Sequence, residues 1–338
     1  MDHKLGPVSM KRRQALVVGI VAIMVLGFAS LQAVAAGNSS KPPAAPVHVS
    51  HPMEPFVSPG ASTPASPPIS CPEASGQCLV DINWAGYSVC GLSPSVCSSC
   101  LTPPFSPCAI SQGDVTDVQG TWIVPTITSA RGQSCSDDQN TWYDASDWVG
   151  IDGLITPSVE QTGTSADCFY GQAQYYAWYE FYPQPSFTIN IPVNPGDRIT
   201  ASVGCLDTAG TITCSLSLKD DTNKQSFTTS TSVSDSSCAS TGTYCLASAE
   251  WIEEDAWYDG FLALTPVTPV LFTNNFATIG GQTHHLSGWG PLLWGLTTAT
   301  FQYPTGVPAD QAQTTVKSEE SALSFGDTFS VRFYSSGP

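Results

Sequence analysis

Short runs of alternating apolar and polar residues dominate the chain beyond Cys71. The clearest runs cover residues 120–124, 175–182, 187–191, 198–205, 211–218 and 328–334. Turn-forming residues separate them, as in Pro-Gly-Asp at 195–197, Asp-Thr-Ala-Gly at 207–210 and Asp-Asp-Thr-Asn at 220–223. Alternation with a period of two is typical of strands, and no window keeps a helical period over about twelve residues. The pattern therefore predicts an all-β fold, an antiparallel sandwich or barrel.

The N-terminus has the layout of a secretory signal. Lys4 and the Lys-Arg-Arg at 11–13 precede a long apolar run that ends in Ala-Val-Ala at 33–35. We predict a signal peptide over residues 1–36; the alternative is an uncleaved anchor, because a run of about 20 apolar residues can span a bilayer. Residues 37–70, rich in Pro and Ser, read as a linker or short pro-segment before the domain at 71–338. We therefore expect a secreted protein without stable membrane association after cleavage.

The charge balance is strongly acidic. The chain carries 11 Lys+Arg against 28 Asp+Glu, a formal net charge of −17. Such a charge repels phosphate backbones, which argues against a nucleic-acid partner. It also suits an acidic medium, in which carboxylates become protonated and self-repulsion falls. We expect protein or peptide substrates and a monomer.

Cysteine usage points to disulfides rather than to a metal. All 12 cysteines follow residue 70, and their number is even. The Cys-x-x-Cys at 97–100 has neither a second such pair nor a His pair at zinc-binding spacing, so no metal or other cofactor is expected. Cys205 with Cys214, and Cys238 with Cys245, are each predicted to staple a hairpin across its turn. The cysteine-rich stretch 90–108 reads as an insertion, either a disulfide-pinned surface loop or a flap over a cleft.

Several common catalytic signatures are absent, including H-E-x-x-H and G-x-S-x-G. The Asp-Thr-Ala-Gly at 207–210 reads as an ordinary turn. Acidic residues are instead lodged in strand-like apolar segments at 147–153, 175–183 and 249–255. Alternation in the last segment places Glu250 and Glu254 on one face and Glu253 on the other. A poorly hydrated carboxyl there would have a raised pKa and could act as general acid or base; the alternative is a solvated acidic edge strand.

Six ordered segments together resemble the glutamic peptidases, the eqolisin family. They are Asn-Trp-Ala-Gly at 83–86, VQGTWIVP at 118–125, WVGIDG at 148–153, QTG at 161–163, AWYEFYP at 177–183 and AEWIEED at 249–255. The resemblance implies a sandwich of two large antiparallel sheets and an acid-acting, metal-independent endopeptidase. It assigns the catalytic roles to Gln161 and Glu254, with Trp148 and Asp152 nearby and Glu180 lining the cleft.

Two departures from the family pattern leave the assignment of the carboxyl open. Glu253 stands where the family has an apolar residue, so a shift of register would make Glu250 or Glu253 the partner of Gln161. Glu160 also replaces an apolar residue. Two other functions remain as alternatives: a carbohydrate-binding or glycoside-hydrolysing lectin-like sandwich, and a catalytically inactive surface domain.

Overall fold

A computed structural model describes residues 77–101, 112–128, 135, 142–256, 263–302 and 313–336. The predicted signal peptide, the Pro/Ser-rich segment and residues 102–108 of the cysteine-rich stretch lie outside the described residues. No helix among those described is both long and apolar enough to cross a membrane.

The described chain consists mainly of strands. In order they are β1 (Cys78–Asp81), β2 (Trp84–Cys90), β3 (Val115–Ile123), β4 (Trp142–Asp144), β5 (Ser146–Ile151), β6 (Val159–Phe169), β7 (Gln172–Tyr182), β8 (Phe187–Ile189), β9 (Arg198–Thr208), β10 (Thr211–Asp220), β11 (Gln225–Ser234), β12 (Ser248–Glu254), β13 (Ala263–Leu264), β14 (Val270–Ile279), β15 (Gln282–His285), β16 (Leu293–Gln302), β17 (Gln313–Glu320) and β18 (Phe329–Phe333). Helices α1 (Pro94–Leu101) and α2 (Ser236–Thr241) and a 3-10 segment (Leu286–Leu292) complete the described elements. The all-β prediction is confirmed.

Two sheets form the sandwich. In sheet I the strands follow one another in the order β8-β7-β6-β5-β12-β2-β16-β1, and β4 continues the line of β5 along β6. In sheet II the order is β11-β10-β9-β3-β14-β18. Strand β17 pairs with β16 of sheet I and with β18 of sheet II, so it joins the two sheets at one corner. All these pairings are antiparallel except that of β1 with β16.

The strands of sheet II show why alternation predicted them. In β9 every second residue from Ile199 to Cys205 is buried, and in β10 every second residue from Ile212 to Leu218. These side chains pack with Val149, Ile151 and Trp251 of sheet I in one apolar core. One face of sheet II therefore meets sheet I while the other meets solvent, which produces the period of two.

The central strands of sheet I are different, because every residue of β2, β5, β6 and β12 is buried. Their inner face meets sheet II. Their outer face carries a second apolar cluster that contains Trp84, Trp148 and Trp178. Both faces of sheet I are therefore covered.

Both predicted disulfides form, but only one of them staples a hairpin as predicted. Cys205–Cys214 joins opposite residues of the β9–β10 hairpin, as predicted. Cys238–Cys245 also forms, but it joins α2 to the segment before β12, so the hairpin predicted there is wrong. Gly242, in the left-handed region at φ 73°, ends that helix, and its N–H donates to the Cys238 carbonyl. Two further disulfides are Cys90–Cys97 and Cys135–Cys168.

Candidate active site

One row of polar side chains crosses the outer face of sheet I. Gln161 on β6 lies directly opposite Glu180 on β7 and Gly150 on β5, and Gly150 lies directly opposite Glu250 on β12. Residues directly opposite one another in an antiparallel sheet share a face. Glu180, Gln161 and Glu250 therefore point to the same side.

Gly150 contributes no side chain between Gln161 and Glu250, and neighbouring side chains lie against the position that its Cβ would take. A Cβ at this position would meet the Cβ of Gln161 at 3.2 Å and the ring of Trp148 at 2.9 Å. Because strands lie about 4.8 Å apart, the backbones of β6 and β12 are about 10 Å apart across β5. Gln161 and Glu250 are therefore the nearest long side chains on either side of Gly150 on this face.

The amide of Gln161 is held by Glu180. Its Nε2 donates to Glu180 Oε2 at 2.8 Å, and both residues are buried. A short hydrogen bond between two buried side chains fixes the orientation of the amide plane. The structure brings Glu180 and Gln161 together, and the prediction that Glu180 lines the cleft remains a prediction.

Glu250 is a buried carboxyl with a raised pKa. Its Oε1 accepts from Ser88 Oγ at 3.2 Å, and Ser88 lies directly opposite it on β2. Burial raises the pKa of Glu250 well above its ordinary value, and the charge of Asp152 raises it further. A carboxyl that can be neutral in acid and lies across from an amide has the properties of a general acid or base.

Asp152 positions the chain that leads into β12. Its Oδ2 and Oδ1 accept from the backbone N–H groups of Leu246 and Ala247 at 2.9 and 2.7 Å. Its own backbone lies in the left-handed region at φ 70°, an uncommon conformation for a residue other than glycine. Burial raises its pKa to about 6, although these hydrogen bonds work in the opposite direction.

Glu254 lies farther along the same face. It is opposite Ser146, four residues from Gly150 along β5, which corresponds to about 13 Å. Its Oε2 accepts from Trp148 Nε1 at 2.9 Å and its Oε1 from Asn83 Nδ2 at 3.3 Å. The predicted pairing of Glu254 with Gln161 remains a prediction, and the sheet register favours Glu250 over it.

Glu253 points to the other face, toward sheet II. It lies directly opposite Asp147, and both side chains are buried. Burial raises the pKa of Glu253 to about 7, and burial together with the charge of Glu253 raises that of Asp147. Of the three glutamates that the sequence left open, Glu253 is the one that faces away from Gln161.

Sequence reasoning missed a second polar group on the outer face. Ser146 Oγ and Ser165 Oγ lie 2.6 Å apart, and Tyr176 Oη donates to Asp167 Oδ2 at 2.9 Å. Burial raises the pKa of Asp167 well above its ordinary value, and the charge of Asp144 and a hydrogen bond with that residue raise it further. Counting every second residue from Gln161 along β6 leads to Ser165 and Asp167, and that signal could have found them.

A buried ion pair anchors the end of β12. Lys317 Nζ contacts Asp255 Oδ2, and both side chains are almost inaccessible. Lys317 is the extra residue where the β16–β17 pairing shifts register, so a bulge turns it inward. The Asp255 N–H also donates to the carbonyl of Asn83 at 2.8 Å. This pair therefore fixes the chain directly after Glu254.

Replacing Lys317 with Met is expected to destabilise the protein by about 3–5 kcal/mol, because it leaves a buried carboxylate without its partner. The melting temperature of the variant measures the effect. The double replacement Lys317→Met with Asp255→Leu is expected to recover most of the loss. Equal melting temperatures for the single variant and the wild type would show that the pair does not hold this end of β12.

The described residues contain no group of three or more His, Cys, Asp or Glu side chains arranged to hold a metal ion. A shallow cavity lies beside His284 and His285, where Phe276 and Thr283 complete its lining. It lies at the β14–β15 hairpin, in a part of sheet II that contains none of the predicted site residues.

Comparison with known proteins identifies the family. Residues 108–318 match the model described as the Peptidase A4 family. Aspergillopepsin-2 of Aspergillus niger is 32% identical over 191 residues, which are 52% of this chain and 64% of that protein. Scytalidopepsin B of Scytalidium lignicola is 38% identical over 112 residues, 32% of this chain and 38% of that protein. The chain thus spans less than two thirds of the length of these curated relatives.

A solved structure is also similar. The crystal structure of aspergilloglutamic peptidase from Aspergillus niger shares 32% identity, with 57% of this chain and 99% of that chain covered and a TM-score of 0.42. The family match extends over β3 to β17 and includes Gln161, Glu180 and Glu250. The chain therefore belongs to the Peptidase A4 family.

Proposed function

We propose that the protein is an acid endopeptidase in which Gln161 and Glu250 act together on a water molecule and a peptide bond. The observation that supports this most is the row Glu180, Gln161, Gly150, Glu250, in which a fixed amide and a buried carboxyl flank a position without a side chain. The family match supports the peptidase class.

The reaction can be written with these groups alone. Ionised Glu250 takes a proton from the water as the water oxygen bonds to the scissile carbonyl carbon. Gln161 donates an N–H to the oxygen that becomes negatively charged. Glu250 then returns the proton to the leaving nitrogen as the C–N bond breaks, and it is left as the carboxylate. Glu180 acts as a positioning residue, because it orients the amide.

The surroundings of Glu250 support activity at acidic pH. The raised pKa of Glu250 makes it a stronger base for water than an exposed glutamate, while it still releases its proton to an amine. Toward neutral pH, Asp152, whose pKa is about 6, becomes ionised close to Glu250 and changes the charge of the site. Below the pKa of Glu250 only its ionised fraction can act as the base, and above about pH 6 the charge of Asp152 opposes the negative charges on Glu250 and on the substrate oxygen. Activity is therefore proposed to pass through a maximum at acidic pH and to fall as the pH approaches 7.

Replacing Gln161 with Ala tests the function. Loss of one oxyanion donor typically lowers kcat about 10²- to 10³-fold, and this is the loss expected against an acid-denatured protein substrate. Gln225, an exposed residue on β11, offers a matched control, and Gln225→Ala is expected to retain wild-type activity. Wild-type turnover by Gln161→Ala would contradict the proposal, and turnover of polysaccharide rather than protein would favour the glycoside-hydrolysing alternative.

Export remains part of the proposal. The disulfides Cys90–Cys97, Cys135–Cys168, Cys205–Cys214 and Cys238–Cys245 suit an oxidising compartment. The signal-like N-terminus supports the same compartment. The N-terminal residue of the mature protein distinguishes cleavage near residue 36 from an uncleaved anchor.

A further inference from the structure

The cysteine-rich segment after β2 forms a helix beside the proposed catalytic row. We propose that α1 is one wall of the substrate cleft and determines which apolar side chains the enzyme accepts on the Glu250 side. This inference rests on the proposed function. The family match begins at residue 108, after α1, so the helix lies outside the matched region.

A disulfide ties α1 to the face that carries Glu250. Cys90 ends β2 and shares its face with Ser88, two residues earlier, which lies opposite Glu250 and donates to it. Two residues along a strand span about 7 Å. Cys90 is bonded to Cys97, the fourth residue of α1, with the two Cα atoms 6.1 Å apart. The helix is therefore fixed close to Glu250 and on its side of the sheet.

The inner side of α1 packs into the apolar cluster of the outer face. Cys97, Cys100 and Leu101 are buried, and their spacing places them on one side of the helix. They belong to the same contiguous cluster as Trp84 and Trp148. Trp148 donates to Glu254, so this cluster also contacts the second carboxyl of the face.

Val96 is the residue through which α1 can influence substrate choice. Its side chain is partly buried and packs against this cluster, whereas Ser99 on the outer side of the helix is exposed. The helix also lies against the 3-10 segment 286–292, which leads into Trp294, opposite Ser88. An apolar wall at this position favours apolar side chains and limits their size.

The chemistry of such a wall predicts a measurable selectivity. In an apolar pocket, one methylene changes the ratio of kcat/KM values about 10- to 200-fold. Shortening Val96 to Ala removes two methyl groups from the proposed wall and makes room for a larger substrate side chain. It should therefore improve cleavage of substrates with large apolar side chains relative to those with small ones at one subsite.

The test compares Val96→Ala with Ser99→Ala in the whole mature protein, with a peptide library at acidic pH. For Val96→Ala, the ratio of kcat/KM for large over small apolar side chains is expected to rise about tenfold at one subsite. Ser99→Ala is expected to keep the wild-type ratio. A ratio measured within one enzyme does not depend on the folded fraction, so a purely structural role of Val96 would not move it.

A second pair of variants tests the covalent tether. Cys90→Ala with Cys97→Ala is expected to broaden the cleavage profile at the same subsite. Cys205→Ala with Cys214→Ala removes a disulfide of sheet II and is expected to lower only the melting temperature. An unchanged profile in both α1 variants, with an active wild type, would overturn the inference. A wild type that cleaves no peptide would instead refute the proposed function, and this inference with it.

Discussion

Replacing Glu250 with Gln is expected to lower kcat/KM against an unfolded protein substrate about 10²- to 10⁴-fold, the usual contribution of a general acid or base. Gln keeps the shape of the side chain but cannot take the proton from water. Glu254→Gln is the matched control, since it makes the same change on the same strand and face. It is expected to keep activity within about tenfold and to lose about 1–3 kcal/mol of stability through its bonds to Trp148 and Asn83.

The two variants separate the register-based assignment from the sequence-based one. Both variants are assayed from about pH 3 to pH 7, with folding checked by the melting temperature, because the proposed base is the ionised form of Glu250. An active Glu250→Gln beside an inactive Glu254→Gln would restore the pairing of Glu254 with Gln161. Activity in both variants would show that neither carboxyl moves the proton, whereas a wild type without activity would favour a binding domain.

The free energy of unfolding is expected to fall as the pH rises from about 4 to 7, because many buried carboxyls have raised pKa values. Burial is the largest cause for each of them: Asp147, Asp152, Glu160, Asp167, Glu250, Glu253 and Glu320. Between the unfolded and the folded pKa, the native state holds more protons than the unfolded chain, so a higher pH favours unfolding. The pKa is about 6 for Asp152 and about 7 for Glu253. Each of these shifts lowers the free energy of unfolding by about 3 kcal/mol across this pH window.

Melting temperatures of the wild type and of Glu160→Gln at about pH 4 and 7 test this linkage. Burial and the charges of Asp152 and Glu250 raise the pKa of Glu160, so its replacement should raise the melting temperature at pH 7 more than at pH 4. Asp221→Asn is the control for a pKa shift of the opposite sign, since hydrogen bonding to Lys219 lowers the pKa of this partly buried carboxyl. A wild type that is most stable at neutral pH would contradict the prediction.

The sequence predicted the strands of sheet II well because one face of these strands is buried and the other is exposed to solvent. Arg198–Thr208 and Thr211–Asp220 have one face in the core and one in solvent, and their alternation records that difference. The turn at 207–210 was also correctly read, since Asp207 Oδ1 accepts from the Gly210 N–H at 3.1 Å. A turn of this kind depends on residues close in the chain, so a single sequence can reveal it.

The site was less predictable because its arrangement depends on pairing between distant strands. The sequence marked Glu250 and Glu254 as sharing a face but carried no information on which of them lies across Gly150 from Gln161. Helix α1 was missed because its Ser-rich residues show no sustained helical period, and a disulfide and tertiary packing hold it in place. The hairpin predicted at Cys238 was wrong for a related reason, because equal spacing of cysteines fits a short helix as well as a turn.

The tandem Glu253-Glu254 makes β12 vulnerable to slippage, since a shift of one residue would exchange the carboxyls presented on its two sides. Hydrogen bonds from two tryptophans, one on each face of sheet I, oppose such a shift. Trp251 Nε1 donates to the Gln119 carbonyl of sheet II at 2.7 Å, while Trp148 Nε1 donates to Glu254 on the far side. The two tryptophans thus hold β12 in one alignment, which keeps Glu250 and Glu254 on the outer face and Glu253 on the inner one.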